Sequence, residues 1–308
     1  MSQLNLRALS RYSDSISCIY LEHAVIERED HSVSVFTPEG RITLPAANLS
    51  SVMLGPGTRI THAAIKILAD CGAVITWCGS DGLAFYACGQ AKTRSSLGIE
   101  QQAACWADSE RRLQVVRKMY QFRFSEKLSP QLSLQQIRGK EGVRVRDAYQ
   151  RLAMQYGVAW CGRSYDRKGW ANADPVNRAL SAANASLYSI VLAGIHSLGY
   201  SPSLGFVHTG KQLSFVYDIA DLVKTETSMP AAFEAAATGL EKVESSARRI
   251  LRDRCSHVRL QDRLTRVIPA LFASDPEDTY SAMGETVAGL WDPSGIVPGG
   301  RLHDGDAS

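Results

Sequence analysis

The alternation of apolar and polar positions changes character near residue 90. From Ile16 to Cys88, short β-prone runs (Ser17-Cys-Ile-Tyr-Leu21, Ser32-Val-Ser-Val-Phe36, Arg41-Ile-Thr-Leu44) are separated by turn residues at Pro38-Glu-Gly40 and Pro45. Gly55-Pro-Gly57 reads as a turn, Thr61 as the cap of a short helix through Leu68, and Ala73-Val-Ile-Thr-Trp77 as another strand. Beyond Gly89 the texture is helical: residues 98–125 and 133–157 are rich in Gln, Arg, Ala and Leu, with few breakers. Asp174-Pro175 supplies a cap and a first-turn proline for an Ala-rich helix that stops near Gly199-Tyr-Ser-Pro202, and two further helices are expected at 231–254 and 256–273. The pattern predicts an α+β fold, with a β-rich domain over residues 1–92 and an all-α domain over 93–273. An acidic tail, 274–308, is expected to lack structure of its own, with Leu290-Trp291 available to dock on a partner.

One residue breaks the pattern of the second long helix. Leu134, Ile137, Glu141, Val145, Ala148, Leu152 and Tyr156 recur at intervals of three and four, so Glu141 lies on the stripe that should face inward. A carboxylate there needs a nearby arginine or a metal ion, because an unpaired buried charge is costly. Gly139 and Gly142 flank it at a cost of about 1 kcal/mol each relative to alanine, which suggests the close approach of a backbone or a ligand.

Composition narrows the partners. The 308 residues carry a net charge of +3, but residues 274–308 hold seven acids and one arginine, leaving 33 bases against 24 acids in the rest. Residues 110–168 hold 14 bases and five acids, and residues 241–273 hold eight and four. Such clustering suits a polyanion such as nucleic acid, although a solvated helix surface has the same composition. Seven cysteines without a CxxC pair read as reduced core residues, not as zinc ligands or disulfides. The apolar stretch Leu187 to Ile195, broken by Ser189, is too short to span a bilayer, and Met1 to Tyr12 has no signal-like apolar run, so a cytoplasmic protein is expected.

The remaining chemistry lies in Gly205-Phe-Val-His-Thr-Gly-Lys-Gln-Leu-Ser-Phe-Val-Tyr-Asp-Ile-Ala-Asp221. Gly205 to Lys211 matches half of a phosphate-binding loop, but Gln212 stands where Ser or Thr must hold magnesium, and the following residues read as strand; no nucleotide cofactor is expected. His208 at a tight turn, Asp218 and Asp221 three residues apart, and Glu141 form an oxygen-rich set suited to Mg2+ or Mn2+. On spacing alone, capping and dipole roles for the two aspartates, with His208 an ordered turn histidine, account for the same residues.

These segments, together with Arg138-Gly-Lys-Glu141-Gly142 and Leu54-Gly-Pro-Gly-Thr-Arg59, closely resemble the CRISPR-associated spacer integrase, CRISPR-associated protein one, of the I-E subtype; the likeness runs from about residue 14 to 273. The resemblance implies a β-rich N-terminal dimerisation domain and a helical domain that holds a divalent ion on Glu141, His208 and Asp221, with Asp218 as an additional acid. It also implies homodimers, two of them bridged by a dimer of CRISPR-associated protein two, that insert short double-stranded DNA at the leader end of a repeat array. The expected reaction is transesterification by a 3′-hydroxyl, with incidental endonuclease activity. Arg59, Arg163, Lys211, Lys224 and Arg248 are expected to meet phosphates, and Tyr165, Tyr188 and Tyr217 to stack on bases, although Tyr188 on an apolar helix equally suits the core. A stand-alone metal nuclease acting on branched DNA and a non-catalytic DNA-binding scaffold are the alternatives.

Overall fold

The computed structural model describes residues 17–80, 85–89, 96–163, 174–239, 242–273, 289–292 and 295–298. The strand-rich part holds two sheets. In the first, β1 (Ser17–Leu21), β5 (Leu49–Leu54), β7 (Val74–Cys78) and β8 (Phe85–Gly89) stand in the order β1-β5-β7-β8, parallel except for the β7/β8 pair. In the second, β2 (Val25–Glu29), β3 (Ser32–Thr37), β4 (Gly40–Pro45) and β6 (Arg59–Ile60) run in the order β4-β3-β2-β6. Helix α1 (His62–Asp70) starts at Thr61, whose side chain accepts from the Ala64 N–H, and it buries Ala64 and Leu68 in a core with Ile26, Val33, Val35, Val52, Leu54 and Ile75.

β5 is buried at every position, because one face meets that core and the other meets the helical region. Its Ser51 hydroxyl is hydrogen-bonded to Ser189 of the central helix α5 (Pro175–Ser197). Continuous burial replaces alternation with the run Leu-Ser-Ser-Val-Met-Leu, so no strand pattern shows in the sequence there.

The helical region is built around α5. Asp174 caps it by accepting from the Asn177 N–H, and Ala179, Ala182 and Ala183 are fully buried, which lets neighbouring helices approach closely. By length and composition α5 could cross a membrane, a property the nine-residue apolar stretch alone understates; here it is the central helix of the core. Around it pack α6 (Ser214–Ala220), α7 (Ser228–Ala237), α8 (Val243–His257) and α9 (Leu260–Phe272).

Several boundaries correct the sequence reading. Residues 98–125 form two helices, α2 (Leu97–Ala107) and α3 (Ser109–Arg123), because Asp108 caps the second by accepting from the N–H groups of Glu110 and Arg111. Where two helices were expected after residue 231, three occur: Gly239 at φ +66° follows α7, and Arg259 at φ +49° separates α8 from α9. The residues after Gln212, read as strand, form α6 from Ser214 onward. Within the tail expected to lack structure, Gly289–Asp292 (β9) pairs antiparallel with Gly295–Pro298 (β10).

Candidate metal centre and nucleic-acid interface

Helix α4 (Leu134–Tyr156) begins with a reciprocal cap between Ser133 and Gln136 and ends at Gly157 in the left-handed conformation. Its inward stripe buries Ile137 and Ala148 and holds Glu141 half-buried between them. Gly139 and Gly142 are exposed, and a Cβ on either would meet nothing within 4 Å. The close approach expected there is therefore not made by another part of the described chain.

His208 sits in the irregular segment between α5 and α6, and that segment is clamped from two sides. On one side Gln102 of α2, fully buried, donates to the carbonyls of Ser201 and Leu204 at 3.0 Å and accepts from the Ser201 N–H at 2.7 Å. Trp106 Nε1 adds a bond to the Gly205 carbonyl at 3.2 Å, and Arg112 one to the Phe206 carbonyl at 3.4 Å. On the other side Asp218 of α6, fully buried, accepts from the N–H groups of Phe206 (2.6 Å), Val207 (3.1 Å) and His208 (2.9 Å). Only glycine fits at position 205, since a Cβ would come within 2.2 Å of the His208 carbonyl oxygen.

The same Asp218 carboxylate lies 2.7 Å from His208 Nδ1. With three backbone donors already directed at it, the carboxylate acts as acceptor and Nδ1–H as donor, which leaves the lone pair on Nε2. The imidazole is 43% exposed, and its Nε2 stands 3.9 Å from Asp221 Oδ2. A carboxylate that fixes the tautomer from behind is the usual support of a metal-binding histidine. Asp218 thus orients a donor and has its own oxygens spent on that task.

Asp221, at the C-terminal end of α6, accepts from Lys224 at 2.6 Å. Burial alone would raise its carboxyl, but the charges of Lys224 and Arg123 outweigh burial and hold it below the ordinary value. For Lys224 burial opposes the charge, and Asp221 overcomes it and raises the ammonium. Glu141 receives a paired contact from Arg144, 2.7 and 2.9 Å. Between the two carboxylates stands Arg123, the last residue of α3, at 3.5 Å from Glu141 and 3.8 Å from Asp221. Tyr217 packs edge-on to the His208 ring at 5.9 Å and to Tyr188 at 5.0 Å, and Lys224 Nζ lies 4.9 Å from the Tyr188 ring centre.

The three residues implied as ligands therefore gather around one place, Glu141 and Asp221 through a shared guanidinium and His208 beside Asp221. As they stand, no three His, Cys, Asp or Glu side chains among the described residues form a ready cage, because the carboxylates face Arg123, Arg144 and Lys224. The donors suit a hard divalent ion: two carboxylates and an imidazole with its tautomer fixed, in a place already occupied by positive charge.

The other expected nucleic-acid contacts are dispersed. Tyr188, Tyr217 and Lys224 line the site. Lys211 is exposed in the same segment as His208, and Arg59 is exposed on β6. Arg163 directs its guanidinium at Asn177 (3.0 and 2.8 Å) and Ser181 (2.9 Å), which ties its segment to the start of α5. Arg248 lies over the Tyr20 ring at 4.3 Å, at the seam between the helical and strand-rich parts. Tyr165 falls outside the described residues. Of the two counts held against a phosphate-binding loop, Gln212 stands and the strand expected after the loop is corrected by α6; the structure adds that the element before the segment is helix α5 and not a strand.

Sequence reasoning missed Arg123 and Gln102. Arg123 carried a readable signal: Val115, Val116, Met119, Tyr120 and Arg123 form the buried stripe of α3, the same kind of misplaced charge that singled out Glu141. Gln102 had none, since a lone glutamine on a polar helix looks solvated.

Comparison with known proteins fits a strand-rich part followed by a helical part. A family model described as CRISPR associated protein Cas1 matches residues 18–126 and 121–236, and the chain belongs to that family. It is 47% identical to CRISPR-associated endonuclease Cas1 2 of Thermus thermophilus over 99% of this chain and 95% of that protein. A crystal structure of a TtCas1-DNA complex superposes with a TM-score of 0.81 at 47% identity, covering 92% of this chain and 100% of that one. A casposase bound to integration product shares the fold alone, with a TM-score of 0.63 at 12% identity over 87% of this chain and 95% of that one.

Proposed function

We propose that this chain is a metal-dependent DNA integrase of the I-E subtype, which joins the 3′-hydroxyl of a short DNA fragment to a phosphodiester of a CRISPR repeat and has incidental endonuclease activity. The observation that carries this reading is the His208–Asp218 pair, which presents a free Nε2 beside Asp221, next to a guanidinium shared with Glu141. The family and the DNA bound to a close relative support the substrate class.

Glu141, His208 and Asp221 would hold Mg2+ or Mn2+, which when bound supplies charge neutralisation at the phosphorus and at the attacking and leaving oxygens. Asp218 keeps His208 in the tautomer that can donate its lone pair. Lys224, Lys211 and Arg144 place positive charge around the scissile phosphate, and the Tyr188 and Tyr217 rings form an apolar wall that orders a strand end. One phosphodiester bond replaces another, so no nucleotide is consumed, consistent with the failed phosphate loop. The partners in this reading are a second copy of the chain, a bridging dimer of CRISPR-associated protein two and double-stranded DNA, in the cytoplasm.

The test is joining of a short duplex to a repeat-bearing plasmid, with the partner subunit and Mn2+. Glu141→Ala and His208→Ala are expected to abolish joining with DNA affinity largely kept. Equal joining of 3′-deoxy ends would refute the mechanism. The naming of relatives as endonucleases favours one alternative, a nuclease using water as nucleophile. It predicts metal-dependent cleavage of branched DNA without the partner subunit and with no joined product.

A further inference from the structure

Arg123 has more positive charge around it than the two carboxylates require. Glu141 already has Arg144 at 2.7 and 2.9 Å, and Asp221 already has Lys224 at 2.6 Å. Arg123 is a third cation, held farther from both at 3.5 and 3.8 Å, and its side chain is only 4% exposed. Its Nε and Nη2 have no hydrogen-bond partner among the described residues. A buried guanidinium with unsatisfied donors is costly, and proteins normally bond each one. Its position at the last turn of α3, with the guanidinium carbon 5.0 Å from the centre of the Tyr120 ring, keeps the charge in place, since the helix C-terminus and the ring face both favour a cation.

We propose that Arg123 is a stand-in cation: it occupies the space between Glu141 and Asp221 where a divalent ion would be held, and a metal must compete with it. The inference rests on the metal reading given above and deepens it. Without the guanidinium the two carboxylates would repel one another in a poorly solvated place, so Arg123 keeps the metal-free site intact. With an ion between them, the same fixed charge faces a like charge and weakens binding. Arg123 is therefore a positioning residue that makes metal affinity low in the free protein, and it is no ligand itself.

The test is Mn2+ affinity of the full chain, read from the electron paramagnetic resonance signal of free Mn2+, with Tm measured in parallel. Arg123→Met and Arg123→Gln are expected to bind Mn2+ about tenfold more tightly than wild type or better, by removal of the like charge. Arg123→Lys, which keeps the charge, should stay within about threefold. Both neutral variants should melt lower without metal and gain more Tm at saturating Mn2+ than wild type does, a readout that holds even where the metal-free variant is only marginally folded. Equal or weaker Mn2+ binding by the neutral variants, or an equal Tm gain, overturns the proposal. Glu141→Gln separates the two levels of inference. If wild-type Mn2+ binding is indifferent to it, the metal reading falls and this proposal with it; if binding depends on Glu141 but not on Arg123, only this proposal falls.

Discussion

Replacing Asp218 by asparagine changes no volume and removes one acceptor face, which isolates what that carboxylate does. Oδ2 accepts from the Phe206 and Val207 N–H groups, and Oδ1 accepts from the His208 N–H and from Nδ1. An amide has one oxygen and one NH2. If the NH2 takes the Oδ2 place it meets two backbone donors; if it takes the Oδ1 place it meets the His208 N–H and can bond Nδ1 only by forcing the proton to Nε2, where a ligand lone pair is needed. Each buried donor left unpaired costs about 1–3 kcal/mol, so Asp218→Asn should destabilise the fold by about 2–4 kcal/mol. Loss of a carboxylate behind a ligating histidine should weaken Mn2+ binding by about 10–100-fold. Urea unfolding followed by tryptophan fluorescence reads the first, and Mn2+ titration reads the second. Nitrogen-15 chemical shifts of the His208 ring report the tautomer directly. Wild-type stability together with wild-type Mn2+ affinity would refute the assignment of Asp218 as the group that sets His208.

Gln102→Leu removes three hydrogen bonds to the His208 segment and strands their backbone partners, so it should cost about 2–3 kcal/mol and speed amide exchange at Ser201, with smaller effects in the strand-rich part; unchanged exchange at Ser201 would show the clamp to be idle. Because the folded-state value of Asp221 lies below its ordinary 3.8, its contribution to stability is complete above that pH and lost as pH falls through the folded value. Stability plotted against pH should therefore rise through this acid window in wild type and rise less in Asp221→Asn, whereas parallel curves would contradict the charge assignment. Burial raises the thiols of Cys88 to about 11 and Cys255 to about 12, while Cys161 is exposed, so a thiol reagent at pH 8 should label Cys161 first and leave Cys255 untouched until unfolding. Early labelling of Cys255 would mean that α8 opens far below the global unfolding free energy.

Local chemistry was legible wherever the sequence carried its own local signal. Thr61 and Asp174 announced two helix starts because a cap is a contact within four residues, and Glu141 stood out because its neighbours four residues to either side, Ile137 and Val145, are apolar. Leu213 to Tyr217 misled because the β-prone Phe and Val are held helical by tertiary burial: Phe215 and Val216 are fully buried in the helical core. β5 was invisible because burial on both faces erases alternation. At the site, His208, Asp218 and Asp221 could be grouped by spacing, but whether Asp218 binds an ion or supports the imidazole depends on three backbone N–H groups that only the folded loop brings to it. Arg123 was overlooked for a different reason: it continues the apolar stripe of Val115, Val116, Met119 and Tyr120, but its place in a strongly basic stretch masked that signal.

The Ser51 and Ser189 contact has a practical corollary. The side of α5 that carries Ser189 serves as a wall of the strand-rich part, while the rest of that helix is enclosed by the bundle. Severing the chain between residues 90 and 95 to express the C-terminal portion alone would lay bare a strip of apolar surface and polar hydroxyls matched to β5. Such a fragment should clump, or survive only when the N-terminal piece is supplied in trans, so the two portions are better regarded as halves of a single mechanical body than as separable modules.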